Sequence, residues 1–313
     1  LPPAAAPLRR WAHAGAGAGG SEVIDFLSRE LPLRSEHLSR LLSEHAALEG
    51  CSSGDAAAAL AFLRSEAGIT RPQALAAAVR RAPGLLTAGT ARLEEAAAAL
   101  KAAASPPTAQ AVVRACPHAL LLRREEVELL KQRLGGLGIC FERLVRNYPP
   151  LVLRDWESLR CGFAFLVEDE RGPRMKGEQA ARLVEKYALL LTRDPERELM
   201  PLVSFMRELG LDPAASAYNY FYAFPAVDEY RATAKFLREE CGYSAESVKK
   251  GVEVITYSFD LSIKPRALFI KERALEWPAL RMLGKCDDAE FCKAVGAELQ
   301  DFREFFKLLR SRR

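Results

Sequence analysis

Arg80, Arg114, Arg146, Glu185, Tyr222 and Lys249 share one local setting in this 313-residue chain: each stands three residues before a recurring slot that is usually proline. Four of the six are basic, and Arg81, Lys186 and Lys250 each sit one residue further along. Cations repeated at fixed spacing can follow a phosphodiester backbone, because each neutralised phosphate releases condensed counterions. The alternative is the solvated edge of amphipathic helices, where Arg and Lys are common. A second, less regular column follows the slot: Arg123, Arg124, Arg154 and Arg193, near acids able to pair with them, and then Lys264 and Arg266 either side of Pro265 with no acid until Glu272. Lys264 and Arg266 are therefore the expected contacts at the C-terminal end of a binding groove, the alternative for Arg266 being to cap a helix end through carbonyls. Tyr218, Tyr220, Phe221, Tyr222 and Phe224 form an aromatic cluster. Most of it reads as core, whereas Tyr222 occupies the basic-column slot, where a base can stack on it.

No comparable set carries catalysis. The sequence has no Gly-rich phosphate loop, no His-Glu-x-x-His and no persuasive Ser/His/Asp set, so a non-enzyme is expected. The four histidines (13, 37, 45, 118) and seven cysteines (51, 116, 140, 161, 241, 286, 292) have no metal-ligand spacing, and no metal, cofactor or small-molecule substrate is expected. An odd number of scattered cysteines fits reduced thiols. At 49% hydrophobic and 27% charged, the composition is that of a soluble globular protein, and no run approaches the roughly 18 uncharged apolar residues a membrane span needs. The formal charge is +4, with 14 basic against 8 acidic residues over 71–160 and 12 against 8 over 264–313, flanking an acidic zone with 13 against 17. Two basic zones permit an anionic partner.

The slots belong to an internal repeat. One phrase recurs: AVRRAPGLL (Pro83), VVRACPHALLL (Pro117), LVRNYPPLVL (Pro149), LVEKYALLL (Ala188 in the proline slot), FYAFPAV (Pro225) and a degenerate copy around Val252. Gly68, a position near Ala104, Gly138, Gly172, Gly210 and Gly242 keep the same period. Before each glycine the apolar residues fall on one helix face, as in Val127, Leu130, Leu134 and Leu137, in Trp156, Leu159, Phe163 and Leu166, and in Leu199, Leu202, Met206 and Leu209. After it, Thr70 with Pro72, Ser105 with Pro106, Asp212 with Pro213, or Ser244 with Glu246 predicts a second helix start. The repeat proline stops that helix. The pattern predicts an all-α solenoid of stacked helical pairs, five or more, with Arg80, Arg114, Arg146 and Lys249 on one face.

The proline-leucine-leucine phrase, together with Ile255-Thr-Tyr-Ser-Phe-Asp-Leu-Ser-Ile-Lys-Pro-Arg266, resembles the mTERF motif of mitochondrial transcription termination factors, over roughly residues 55–285. Ala188 and Val252 depart from it by replacing the proline. The resemblance implies a curved superhelical solenoid of mTERF-type repeats of about 34–36 residues. It implies an organellar protein, mitochondrial or alternatively chloroplast, that binds double-stranded DNA along a basic concave groove and acts in transcription termination or gene-expression regulation. RNA binding in rRNA maturation or splicing, or a protein-protein scaffold, are the alternatives, and a monomer is expected. Residues 1–21, rich in Ala, Gly and Pro, with Arg9 and Arg10 and no acid before Glu22, read as a disordered leader or transit-peptide remnant. An N-terminal cap over 22–66, the repeat array over 67–285 and one capping helix with a basic tail over 286–313 complete the organisation.

Overall fold

The computed structural model describes residues 20–45, 48, 50–223 and 226–311. Pro225, Phe224, Arg9, Arg10, most of the leader and the terminal Arg312 and Arg313 lie outside the described residues. Among the described residues the chain is all-helical, with no strand. It divides into two compact units, residues 1–160 with 180–192, and residues 161–179 with 193–313.

In the first unit, α1 (Gly20–Glu30) and α2 (Ser35–Glu44) precede pairs of one long and one shorter helix: α3 (Ser53–Ser65) with α4 (Pro72–Arg81), α5 (Thr90–Ala103) with α6 (Pro106–Ala115), and α7 (Arg124–Gly136) with α8 (Phe141–Asn147). The predicted helix faces are the buried ones: Val127, Leu130 and Leu134 line the inner side of α7. Long helices contact long helices, α3 on α5 and α5 on α7, and α6 contacts α8. The α9 (Trp156–Val167) and α10 (Gly177–Lys186) pair repeats the pattern.

Each pair ends in a third element that the sequence reading did not resolve, a short 3₁₀ turn. Pro83–Leu86, Pro117–Leu121, Pro149–Leu153, Ala188–Thr192 and Val252–Thr256 all adopt it. The residue before each proline leaves the helical region, with ψ of 68° at Ala82, 77° at Cys116 and 83° at Tyr148, because the proline ring crowds its predecessor. Proline does not itself maintain the turn. Ala188 and Val252 start turns of the same length, and the constant feature is the apolar pair two and three residues on, Leu85/Leu86, Ala119/Leu120, Leu151/Val152, Leu190/Leu191 and Val254/Ile255, all buried.

In the second unit, α11 (Met200–Glu208) is preceded by a π-turn at Pro195–Leu199, and α12 (Val227–Glu239) pairs with α13 (Ala245–Lys250). Asp212 and Pro213 do not open an α-helix. Asp212 instead accepts the Ala214 N–H in a tight turn, and Ser216–Ala223 forms a 3₁₀ segment. The C-terminal segment is α14 (Lys264–Glu272), α15 (Asp288–Val295) and α16 (Leu299–Ser311). The single expected capping helix is thus two, broken where Gly296 turns left-handed (φ 69°) and Ala297 donates back to Cys292. Phe269, Phe291, Phe302 and Phe305 pack ring on ring at centroid separations of 5.1–6.3 Å as the core of this end.

The glycine register has a backbone cause at Gly138. With φ 74°, it follows α7 so that Ile139 N–H returns to Leu134 carbonyl and Gly138 N–H to Gly135 carbonyl, the two bonds that close a left-handed helix stop. A methyl there meets no atom within 4 Å, so the cost of Gly138→Ala is backbone strain alone, about 1 kcal/mol. Gly135, three residues earlier inside α7, is equally open, and Gly135→Ala is expected to stabilise by about 0.5–1 kcal/mol. Urea titrations of the two variants should shift their midpoints in opposite directions; a shared sign contradicts this assignment.

Candidate nucleic-acid interface

Each basic-column residue of the first unit emerges from the last turn of a short helix, where a cation also faces the partial negative charge of the helix end. Arg80 and Arg81 close α4, Arg114 closes α6 and Arg146 closes α8, and all four are exposed. Contacts link Arg81, Arg114 and Arg146 to neighbouring helical pairs. The Arg81 guanidinium donates to the Ala115 carbonyl at 3.4 Å, beside Arg114. Arg146 reaches back to α6, donating to Thr108 Oγ1 at 3.4 Å. Arg114 lies over Gly68 of the preceding pair, where an added Cβ would stand 2.7 Å from its Nη2. On α10, Glu185 accepts the Cys140 N–H at 2.7 Å and pairs with Arg143 at 3.1 Å. Asn147 donates to the Glu185 carbonyl, and Lys186 follows, exposed, with its ammonium 5.1 Å from the Tyr187 ring centre. In the slot three before the turn, Arg114, Arg146 and Glu185 thus each clasp the preceding helical pair with their charged ends.

The line is basic without being purely so. Among the basic residues Arg80, Arg81, Arg114, Arg143, Arg146 and Lys186 stand two carboxylates, Glu185 paired with Arg143 and Glu142 paired with Arg146. Glu142 takes a short hydrogen bond from Ser105 and an ion pair from Arg146 at 2.7 Å, which hold its carboxyl below the usual range. It stays ionised and offsets part of the Arg146 charge.

In the second unit Lys249 and Lys250 end α13, both exposed. Lys249 repeats the clasp, its Nζ 3.0 Å from where a Cβ on Gly210 would lie, and Lys250 stands 3.6 Å from Glu246. Of the second column, Arg123 pairs with the nearby Glu126, whereas Arg193 pairs with Glu198 and the adjoining Asp194 pairs with Arg197 instead.

Two candidates are corrected. Tyr222 is 1% exposed and its hydroxyl donates to the Pro213 carbonyl at 3.0 Å. The 3₁₀ segment in its unit ends before Pro225, so Phe221 and Tyr222 take the buried pair positions that leucines hold elsewhere, and Tyr222 was never in the basic slot. Arg266 is 5% exposed. Its guanidinium donates to the Met282 carbonyl (3.1 Å), the Cys286 carbonyl (2.8 Å) and Asp288 Oδ1 (2.9 Å), and lies 5.2 Å from the Phe291 ring centre. It ties the C-terminal segment together through carbonyls and is closed to a ligand. Lys264 is half-buried with its ammonium 5.8 Å from the Phe259 ring centre. The clasps themselves escaped the sequence reading; their only trace is partner spacing near one repeat.

His118, in the 3₁₀ turn beside this line, is half-buried, and burial, with Arg81 and His45 adding to it, lowers its pKa. The unfolded chain then binds the proton more tightly than the folded one, so stability falls as pH drops below about 6.5. His118→Gln is expected to flatten that acid-side loss of stability, read from denaturation midpoints at pH 7 and 5; an unchanged slope contradicts it.

No protein-family model matches the sequence, and no curated protein matches it.

Proposed function

We propose that this chain is an mTERF-like nucleic-acid-binding protein whose helical pairs stack as a solenoid and present a basic line to double-stranded DNA. The observation that carries the reading is the line itself: Arg80, Arg81, Arg114, Arg146 and Lys186 end successive short helices, and the hydrogen bonds of Arg81, Arg146 and Glu185 tie neighbouring pairs together. Phosphates along one strand are met by guanidinium groups that pair with two oxygens at once, and counterion release supplies the affinity. Any arginine that reaches guanine O6 and N7 adds sequence choice. Bound this way, the protein blocks a polymerase by occupancy alone, which suits transcription termination or regulation in a mitochondrion or chloroplast. The repeat phrases and the closing Ile-Lys-Pro-Arg support the family, and the five helical pairs with their recurring 3₁₀ turns support the repeat architecture.

The test compares duplex DNA, single-stranded DNA and RNA of one sequence and length across a salt series. Duplex DNA is expected to bind most tightly, with affinity falling steeply as salt rises. Preference for RNA moves the function to RNA processing, and absence of salt-sensitive binding to any of the three overturns the reading in favour of a protein scaffold.

A further inference from the structure

The basic zone at the C-terminal end holds a second cluster of cations that the repeat does not generate. Arg281, in the 3₁₀ turn Leu280–Leu283, Lys285 just after it, and Lys293 on α15 edge an open groove of about 600 Å³. That volume is in the range of small-ligand sites. Met282 and Ala294 contribute apolar lining, and among the described residues Glu290 is the one acid lining it. Lys285 pairs with Glu253 at 2.9 Å, whereas Arg281 and Lys293 have no ion-pair partner among the described residues.

The lining is built rather than incidental. The buried Arg266 guanidinium holds the Met282 and Cys286 carbonyls and the Asp288 carboxylate at once, so the turn carrying Arg281 and the start of the helix carrying Lys293 are fixed to each other.

We propose that this groove binds one nucleoside monophosphate unit, free or within a single strand, with the phosphate on Arg281 and Lys293 and the base against Met282. A guanidinium and an ammonium without internal partners favour a phosphate oxygen cluster. A thioether makes favourable contact with the face or edge of an aromatic ring, which every base offers. Glu290 accepts hydrogen bonds only, so it suits a base with an exocyclic amino group and opposes a second phosphate beside it. The groove is independent of the basic line on the first unit.

The test is a residue-resolved NMR titration of the whole chain with adenosine monophosphate, adenosine, inorganic phosphate and a short single-stranded oligoadenylate. Adenosine monophosphate or the oligoadenylate should move the amides of Met282, Lys285 and Lys293, with the monophosphate binding at least about tenfold more tightly than adenosine or phosphate alone. The Arg281→Ala/Lys293→Ala double variant should lose about tenfold or more, with the remaining spectrum unchanged. Both residues are exposed, so the variant is expected to fold, and its unperturbed amides report that directly. The oligoadenylate arm separates a strand-borne unit from a free nucleotide. No shift in the groove, phosphate binding as tightly as the monophosphate, full affinity in the double variant, or an oligoglutamate that displaces the monophosphate at equal concentration each overturns the proposal. Loss of duplex binding through the first-unit arginines leaves these signals untouched, so the two readings fail separately.

Discussion

Arg266→Met is expected to destabilise the second unit by about 3 kcal/mol, the magnitude for removing one partner from a buried charged network. The substitution keeps much of the apolar volume over Phe291 but removes the guanidinium donors from the Met282 and Cys286 carbonyls and from Asp288, while the Cys286 thiol still donates to the Met282 carbonyl. Asp288 is half exposed and regains water, which keeps the loss below that of a fully buried pair. Arg266→Lys keeps the charge and loses the planar fork, so its cost falls in between. Arg273, exposed on the same segment, is the control, with Arg273→Met expected within about 0.5 kcal/mol of the parent. Hydrogen exchange over residues 264–311 locates the effect: protection of Phe291 and Phe302 amides should drop most in Arg266→Met, less in Arg266→Lys and not in Arg273→Met. Unaltered protection there would mean that the four contacts do not anchor this end.

Reversing Arg80, Arg114 and Arg146 together to glutamate is expected to weaken duplex DNA binding by about two orders of magnitude or more at 0.15 M salt, from three lost phosphate contacts plus the new repulsion. Arg197→Glu, at an exposed residue of the other unit paired with Asp194, should leave affinity near that of the parent. Arg146 also binds Glu142 and Thr108, so its reversal strains the α6 to α8 clasp. Arg146→Gln keeps a donor for Glu142 while removing the charge, and with the Arg80 and Arg114 reversals it separates lost binding from lost folding. Retained affinity in a variant of unchanged melting temperature would remove the line from the interface.

Local rules carried much of this architecture. The proline ring and the left-handed glycine act over one or two residues, so Pro83, Pro117 and Pro149 marked helix stops and Gly138 a reversal before any contact was known. Where the marker and the packing separate, the sequence misled. Pro225 suggested that Tyr222 faced outward, but burial of the apolar pair sets the register, and in that unit the pair is Phe221 and Tyr222. Arg266 failed for a related reason: an arginine beside proline with no nearby acid looks free, while its acceptors lie 16 to 22 residues downstream. The candidate interface was legible as a column of residue types. The Arg146–Glu142 pair lies one turn apart on α8 and follows local spacing, whereas the hydrogen bonds of Arg81 to Ala115 and of Arg146 to Thr108 depend on contacts about one repeat away.

The most direct measurement is the slope of log affinity against log salt for duplex DNA, taken for the parent and for Arg80→Gln, Arg114→Gln and Arg146→Gln singly. The parent is expected to give a linear, steeply negative slope that becomes shallower by about 0.9 for each arginine removed, whatever the DNA sequence. A parent slope near zero, or single variants whose slopes match the parent while their affinities fall, would contradict a phosphate-tracking line.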